Sequence, residues 1–271
     1  MSNSSFKITT WNINSVRLRA PNVQKFLVAE APDVLCLQEI KCQTGEFPAK
    51  AFNEIGYKHH QVLGQSGGHH GVAIVSKHPI EPLTALPLCR EGHSRVQAAL
   101  IEGFEIHNIY LPAGGDVPDP DANEKFAHKL DFLGCMARDY AKAPNGPVPR
   151  VLVGDLNVAP HENDVWSHKQ LLKIVSHTPV ETEALEKARK DGGFTDIARE
   201  LHEDDQKLYT WWSYRAKDWA ASNRGRRLDH IWANDKGMGL VYPSSYRIHL
   251  GWRGGWKPSD HAPVSTTFAR A

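Results

Sequence analysis

Cysteine is scarce in this sequence. The 271 residues include only Cys36, Cys42, Cys89 and Cys135, and no two of them form a CxxC pair. Cys36 stands inside the apolar run at 34–37, where we expect it to act as a small buried hydrophobe. A disulfide framework is not expected in a chain of this length and spacing. Reduced thiols and a cytoplasmic location fit the pattern better.

Long apolar runs are also absent. No stretch approaches the roughly 20 residues that a membrane-spanning helix needs. The first five residues are polar and lead directly into a predicted strand, without the basic-then-apolar order of a signal peptide. We therefore expect no contact with a membrane.

The sequence has little net charge, and its +1 at pH 7 gives no overall sign of a polyanionic partner. The segment 211–260 differs, because it holds nine Lys or Arg residues and four Asp or Glu residues, a local excess of about five positive charges. It is also rich in tryptophan. Such a segment suits a phosphate backbone, although a solvated basic surface would have the same composition.

Short apolar strands alternate with longer amphipathic segments. We predict strands at 6–12, 33–39, 71–76, 96–102, 104–111, 150–157, 227–233, 245–250 and 263–269, and helices at 21–31, 46–56, 122–142, 181–191 and 194–202. No linker or low-complexity tract divides them, so we expect one α/β domain over residues 1–271. A strand, helix, strand and hairpin pattern occurs at 6–112 and again at 150–269. It suggests two mixed sheets packed face to face with helices outside.

Polar side chains stand at the ends of several predicted strands. Glu39 ends the second strand, Asp155 ends the strand that starts at 150, and Asp229 begins the strand near 230. Because neighbouring strands end side by side, these groups can meet in one cleft. Close carboxylates repel one another, and a divalent cation is the usual remedy.

The most informative stretch is 257–264, where Asp260 and His261 lie between Pro258 and Pro263 just before the last strand. The two prolines restrict the backbone and hold the Asp-His pair at the mouth of that strand. A fixed imidazole beside carboxylates suits acid-base or metal chemistry. The sequence therefore predicts a hydrolytic, metal-dependent site.

Each of these residues also has a structural explanation when taken alone. Glu39 could be an exposed acid, Asp155 a turn former, and Asp229 the partner of a nearby arginine. The tryptophans at 211 and 212 could belong to the core. The histidines at 59, 60, 69 and 70 show no helical ligand spacing, and we predict no zinc site from them.

The combination of motifs resembles one family. Trp-Asn-Ile-Asn at 11–14, Leu-Gln-Glu-Ile-Lys at 37–41, Gly-Asp-Leu-Asn at 154–157, Trp-Trp-Ser-Tyr-Arg at 211–215, Arg-Arg-Leu-Asp-His at 226–230 and Ser-Asp-His-Ala-Pro-Val at 259–264 occur in one order. Together they resemble the exonuclease III family of abasic-site DNA repair enzymes, within the endonuclease/exonuclease/phosphatase superfamily. The resemblance extends from about residue 6 to 269.

The resemblance implies a four-layer α/β sandwich and Mg²⁺-dependent hydrolysis of DNA phosphodiesters, with Mn²⁺ as a substitute. Glu39 would be the principal metal ligand, with Asn12 and Asp260 near the metal. Asp155 would activate water or serve the leaving group, and Asp229 would orient His261. Asn157 and Tyr110 would contact the phosphate, and Asp155 and Asn157 would also lie within reach of the metal.

The resemblance further implies contacts with double-stranded DNA, especially at abasic sites and 3′ ends, by a monomer. The implied DNA contacts are Lys125, Lys129, Trp211, Arg215, Arg224, Trp256 and Lys257. The implied activities are abasic-site endonuclease, 3′-phosphodiesterase and 3′→5′ exonuclease. Two alternatives stay open: a phosphoesterase acting on a small or lipid phosphate, and a non-catalytic nucleic-acid-binding protein.

Overall fold

Two six-stranded β-sheets form the centre of the protein in a computed structural model, which describes residues 5–270. The polar residues 1–4 and residue 271, at the two ends of the predicted domain, lie outside this range. Between residues 5 and 270, no helix combines the length and the apolar character that crossing a bilayer requires.

The described chain contains twelve strands: β1 (Ser5–Asn12), β2 (Val34–Gln38), β3 (His59–Leu63), β4 (Val72–Ser76), β5 (Glu81–Leu83), β6 (Val96–Ile101), β7 (Phe104–Tyr110), β8 (Arg150–Asp155), β9 (Thr195–Asp196), β10 (Asp229–Ala233), β11 (Arg247–Ile248) and β12 (Val264–Ala269). Over the same range it has eight α-helices: α1 (Val16–Glu30), α2 (Ala49–Asn53), α3 (Glu124–Tyr140), α4 (His168–Leu171), α5 (Pro179–Asp191), α6 (Ile197–Leu201), α7 (Trp219–Ser222) and α8 (Asp235–Met238). Short 3₁₀ turns occupy Thr44–Glu46, Ser66–Gly68, Glu162–Asp164 and Leu250–Arg253.

Both sheets are mixed. The first has the strand order β11-β12-β1-β2-β4-β3, and the second has the order β5-β6-β7-β8-β10-β9. β1 and β2 are parallel, as are β7 and β8, whereas the other paired strands are antiparallel. The sheets do not divide the chain into its two halves, because β5, β6 and β7 belong to the second sheet and β1 pairs with β12.

The central strands β2, β4, β8 and β10 are buried along their whole length, which explains their largely apolar character. In β2, Val34 and Cys36 pack between the sheets, whereas Leu35 and Leu37 pack with residues of α1 and α2. Leu152 of β8 faces the other way, toward the cluster that contains α3 and α5 residues. The result is four layers, helix, sheet, sheet and helix, which confirms the predicted α/β sandwich.

Some predicted elements differ from the observed ones. α1 begins at residue 16 rather than 21, the predicted helix 46–56 shrinks to α2, and the predicted strand 245–250 shrinks to β11. β3 and β5 were not predicted, and β9 takes residues 195–196 from the predicted helix 194–202. β3 and β5 are edge strands, where polar residues and proline are tolerated, so neither shows the apolar run of a buried strand.

A buried polar network joins the two sheets directly below the strand ends. The Gln38 side-chain amide donates to Thr10 Oγ1 at 2.9 Å and to Asn108 Oδ1 at 2.7 Å. Asn108 in turn donates to the carbonyl oxygens of Leu37 and Ala73, both at 3.1 Å. Such bonds are directional, so the network fixes the relative position of the sheets.

Candidate active site

The polar strand ends of both sheets meet at one edge of the sandwich. In the first sheet Asn12 is in register with Gln38, the residue before Glu39. In the second sheet Asp155 is in register with both Tyr110 and Asp229. Parallel strands end at the same edge and antiparallel strands begin there, so residues far apart in sequence come together.

Gly154 sets the position of Asp155. Its φ is +146°, and a Cβ atom at this residue would lie 1.8 Å from the Ile109 carbonyl oxygen of β7. Only glycine permits this close approach of two backbones. The sequence Gly-Asp therefore places the carboxylate at the C-terminal end of β8, next to β7.

Asn12 links the two sheets through two carboxylates. Its Nδ2 donates to Glu39 Oε1 at 3.0 Å and to Asp155 Oδ2 at 2.8 Å. Its Oδ1 accepts from the Asn14 backbone N–H at 3.0 Å, which fixes the orientation of the amide. In this arrangement Asn12 presents donors, and not its oxygen, to the two carboxylates.

Two further groups, an ammonium and a phenol, contact the Glu39 carboxylate. Lys41 Nζ is 2.8 Å from Glu39 Oε2, and the Tyr110 hydroxyl donates to Glu39 Oε1 at 2.8 Å. Burial alone would raise the pKa of Glu39, but the charge of Lys41 and the hydrogen bonds from Asn12, Lys41 and Tyr110 together lower it. Burial, together with the nearby charges of Glu39 and Asp155, raises the pKa of Tyr110, so this phenol stays protonated and remains a donor.

Asn157 donates two hydrogen bonds to the Asp155 carboxylate. Its backbone N–H donates to Asp155 Oδ1 at 3.0 Å, and its side-chain amide donates to the Leu111 carbonyl oxygen at 2.8 Å and to Asp155 Oδ2 at 3.2 Å. The residue has a left-handed φ of 50°, a conformation that asparagine tolerates well. The tight turn after β8 thus presents Asp155 and Asn157 together.

His261 lies between two aspartates. Its Nδ1 is 2.8 Å from Asp229 Oδ2, and its Nε2 is 3.8 Å from Asp155 Oδ2. The Thr210 hydroxyl donates to the same Asp229 oxygen at 2.6 Å. Asp229 is therefore not the arginine partner that its neighbours in sequence allowed, and it fixes the orientation of the imidazole instead.

The electrostatics of this cluster keep the imidazole charged. Burial alone would lower the pKa of His261, but Asp229 and Asp155 raise it to about 10. Burial raises the pKa of Asp155 to about 7, with Asp229 adding to the effect and His261 opposing it. At neutral pH the site therefore contains a cationic imidazole and a carboxyl group close to its titration point.

Asp260 precedes His261 in the loop before β12. It accepts from Asn14 Nδ2 at 3.0 Å and from the Trp211 indole N–H at 2.9 Å. Burial opposes its ionisation, but His261 and these two donors lower the pKa below its usual value. The Ser259 hydroxyl donates to the Asn12 carbonyl oxygen at 2.6 Å and ties this loop to β1.

The donor set fits a hard divalent cation. Asp155 and Asp229 each offer a carboxylate oxygen, and these two oxygens lie within 4.8 Å of each other. Asp229 Oδ1 is buried and has no hydrogen-bond partner within residues 5–270. The Lys41 ammonium already lies against the Glu39 carboxylate, so this position accepts positive charge. Carboxylate oxygens are the ligands that Mg²⁺ prefers.

A cleft of about 620 Å³ opens over these residues. Glu39, Asn157, Asp260 and His261 form part of its floor. Three of the residues predicted to contact DNA, Trp211, Arg215 and Arg224, form part of its wall.

Three further predicted DNA contacts lie on the surface but do not line the cleft. Lys125 is exposed in the first turn of α3, and Trp256 is 61% exposed. Lys257 Nζ lies 5.0 Å from the centre of the Trp256 ring, in the loop that leads to Asp260. Because these residues lie outside the cleft, they would contact only DNA that extends beyond it.

Lys129 was predicted to contact DNA, and this prediction is wrong. Its side chain is fully buried, with Nζ 2.5 Å from Glu181 Oε1 and 2.8 Å from the Asn157 carbonyl oxygen. A buried ammonium that donates to a carboxylate and to backbone carbonyls cannot also contact a phosphate of the duplex. Lys129 instead supports the Asn157 turn from below.

Several contributors to the site were not predicted. Lys41 pairs with Glu39, Asn14 binds Asp260, and Thr210 binds Asp229. Lys41 is two residues from Glu39, and Asn14 is two residues from Asn12, so their positions in the sequence indicated that they could contact the site. Thr210 lies in an irregular segment, and nothing in the sequence marks it as a partner of Asp229.

Known proteins are similar to this chain in sequence and in fold. The sequence profile of the Endonuclease/Exonuclease/phosphatase family matches residues 9–261. Exodeoxyribonuclease III of Haemophilus influenzae is 30% identical over 277 residues, covering 97% of this chain and 99% of that protein. The structure of an AP endonuclease from Archaeoglobus fulgidus has a TM-score of 0.89, with 32% identity and coverage of 97% and 99%.

A second structure is that of the 3′ phosphatase NExo from Neisseria, bound to a product DNA hairpin. It has a TM-score of 0.87, with 32% identity and coverage of 97% of this chain and 99% of that one. Both the profile match and these relatives extend over nearly the whole chain and include the strand ends that build the site. The chain therefore belongs to the Endonuclease/Exonuclease/phosphatase family.

Proposed function

We propose that this protein is a Mg²⁺-dependent DNA repair nuclease that hydrolyses phosphodiester bonds in double-stranded DNA, at abasic sites and at 3′ ends. The proposed activities are abasic-site endonuclease, 3′-phosphodiesterase and 3′→5′ exonuclease, carried out by a monomer in the cytoplasm. The similarity to an AP endonuclease, an exodeoxyribonuclease III and a 3′ phosphatase supports this range of activities.

Glu39 is the proposed principal ligand of the metal. Asp260 and Asn157 line the same cleft, and Asp155 accepts from the Asn157 side-chain amide. Asn12 orients Glu39 and Asp155 through its amide N–H groups. A bound Mg²⁺, which Mn²⁺ could replace, would neutralise charge on the phosphate. The lowered pKa of Glu39 supports this role, because the carboxylate is ionised at neutral pH.

Asp155 and His261 supply the acid-base and electrostatic functions. With a pKa of about 7, Asp155 can accept a proton from an attacking water near neutral pH. In the alternative assignment, the same group gives a proton to the leaving oxygen. His261, held cationic by Asp229, stabilises negative charge that develops on the phosphate. Tyr110 and Asn157 are the remaining donors that face the substrate.

The wall of the cleft supplies DNA contacts. Arg224 and Arg226 stack over the rings of Trp166 and Trp211, with guanidinium-to-ring distances of 4.7 and 5.3 Å. Charged guanidinium groups held over aromatic rings suit a phosphate next to an unpaired sugar. We propose that Trp211 borders the pocket for a flipped abasic sugar, that Arg215 and Arg224 contact phosphates, and that Lys125, Trp256 and Lys257 contact the flanking duplex.

The observation that carries the proposal is the row formed by Asp229, His261 and Asp155, which Asn12 joins to Glu39, next to a cleft lined by Arg215, Arg224 and Arg226. The test is incubation of a duplex containing one abasic site with Mg²⁺ or with EDTA. The wild type should cut at the abasic site only with Mg²⁺. Glu39→Gln should bind Mg²⁺ more weakly in calorimetry and lose nearly all cleavage while keeping its fold.

Two controls distinguish this proposal from the alternatives. An inositol phosphate, offered under the same conditions, should not be turned over, and preferential turnover of that substrate would contradict DNA as the substrate. DNA binding without any metal-dependent cleavage would instead indicate a non-catalytic protein. Unchanged Mg²⁺ affinity and activity in Glu39→Gln would refute the assignment of the metal ligand.

A further inference from the structure

A second cluster of metal-binding side chains lies apart from the carboxylates of the active site. Cys89 and His93 stand on the loop between β5 and β6, and His128 stands on α3. Cys89 Sγ is 3.3 Å from His128 Nε2, and the ligand atoms of all three residues lie within 4.8 Å of one another. Residues from two separate segments thus point at one small volume.

We propose that Cys89, His93 and His128 form a binding site for a transition metal ion, with Zn²⁺ as the ion that fits best. Tetrahedral Zn²⁺ with a Zn–S distance of about 2.3 Å and a Zn–N distance of about 2.0–2.1 Å places sulfur and nitrogen about 3.6 Å apart. The observed 3.3 Å between Cys89 and His128 is close to that spacing. Small side-chain movements would therefore complete the site.

The donors separate this site from the proposed Mg²⁺ site. A thiolate and two imidazoles are soft or intermediate ligands that select Zn²⁺ and related ions, whereas Mg²⁺ prefers carboxylates and water. Three protein ligands leave the fourth tetrahedral position for a water molecule. The two sites would therefore bind different ions from the same solution.

Glu91 supplies the outer support that metal-bound histidines usually have. Its Oε2 is 3.2 Å from His128 Nδ1, an ion-pair distance, and His128 Nε2 faces Cys89 on the other side of the ring. The same oxygen is 3.3 Å from His93 Nδ1. Both imidazoles therefore face one carboxylate, and His93 Nδ1 is buried without a hydrogen bond within the described chain.

The other cysteines do not compete for this role. Cys36, Cys42 and Cys135 are buried, whereas Cys89 is partly exposed. A metal–thiolate signal from the folded protein would therefore come from Cys89. The metal would connect the β5–β6 loop to α3, next to a wall of the active site. The His93 ring lies 4.7 Å from the His70 ring, and His70 lies 6.1 Å from the ring of Tyr110.

The test uses the folded protein, freed of metal by a chelator and kept reduced, and then titrated with Co²⁺ in the presence of excess Mg²⁺. Tetrahedral Co²⁺ bound to a thiolate absorbs in the near ultraviolet and the visible range, and Zn²⁺ should displace it. We expect one Co²⁺ per chain with the thiolate band. Glu91→Gln should weaken binding by about 10- to 100-fold, and Cys89→Ser and His128→Gln should weaken it by more than that.

Two matched variants control for other binding. His69→Ala removes an exposed histidine outside the cluster, and Glu39→Gln removes the carboxylate of the proposed Mg²⁺ site. Both should keep the band and the affinity. Absence of the band in the wild type, or its persistence in Cys89→Ser, would overturn the proposal. If Cys89→Ser does not fold, Glu91→Gln, at a half-exposed residue, decides by its affinity.

Discussion

Replacing Asp155 by asparagine should make the metal-free protein more stable while making the enzyme inactive. Asp155 is fully buried beside Asp229 and has a pKa raised from 3.8 to about 7, so its ionisation opposes folding. Each pH unit between the two pKa values is worth about 1.36 kcal/mol. The ionised carboxylate therefore costs as much as about 4 kcal/mol above pH 7, and a neutral amide at this position would not carry this cost.

The stability difference between Asp155→Asn and the wild type should depend on pH in one direction only. A carboxyl group whose pKa is raised by folding contributes no penalty below its unfolded pKa, and the penalty grows until the pH passes the folded pKa. The stability difference between Asp155→Asn and the wild type should therefore be near zero at pH 4. It should increase up to about pH 7 and stay constant above it.

Urea unfolding at several pH values in EDTA measures this difference. Asp116→Asn is the control, because Asp116 is an exposed acid on the rim of the same cleft, and its effect should stay within about 0.5 kcal/mol at every pH. Cleavage of the abasic duplex by Asp155→Asn should fall by about two to four orders of magnitude. A variant that is less stable than the wild type at pH 8, or a difference that does not change with pH, would refute the reasoning.

Three further changes test other parts of the structure. Lys129→Met should destabilise the protein by about 3–5 kcal/mol in urea unfolding, because it leaves Glu181 buried without its partner. Adding Glu181→Gln should restore most of the lost stability. A loss of DNA affinity at unchanged stability would contradict the structural role of Lys129. Gly154→Ala should lower the free energy of unfolding by at least about 3 kcal/mol, because the new Cβ would meet a carbonyl oxygen of β7. The control is Gly134→Ala on α3, which has open space around it and should stabilise the protein by roughly 0.5–1 kcal/mol. Equal effects of the two substitutions would argue against the close approach of β7 and β8. Asp229→Asn removes the charge that raises the pKa of His261, so the alkaline decline in kcat should begin at a lower pH. An unchanged pH profile would show that Asp229 does not act through His261.

The sequence predicted which polar residues meet at the edge of the sheets, because these residues stand at strand ends. Glu39, Asp155 and Asp229 follow or precede apolar runs, and the edge of a sheet brings such positions together whatever the details of the topology. The assignment of strands to sheets was less predictable. Pairing of β1 with β12 depends on contacts across almost the whole chain, which local periodicity does not report.

Lys129 shows why charge alone misleads. It lies on the buried stripe of α3, between Phe126 and Leu133 at helical spacing, so its position indicated an inward direction. Its type suggested the surface instead, because an unpaired lysine is costly to bury. The partner that permits burial, Glu181, is on another helix, and only the fold shows that the two meet.

The pairing of β1 with β12 has a consequence for protein synthesis. β1 occupies the centre of the first sheet, between β2 and β12, so the residues of β1 wait for residues 264–269, which are made later, before that sheet is complete. Until then the loop that carries Ser259 cannot bind the Asn12 carbonyl oxygen, and His261 is not yet in place. A chain still emerging from the ribosome could not bring the proposed catalytic groups together, and nuclease activity would begin only as one of the last events of folding.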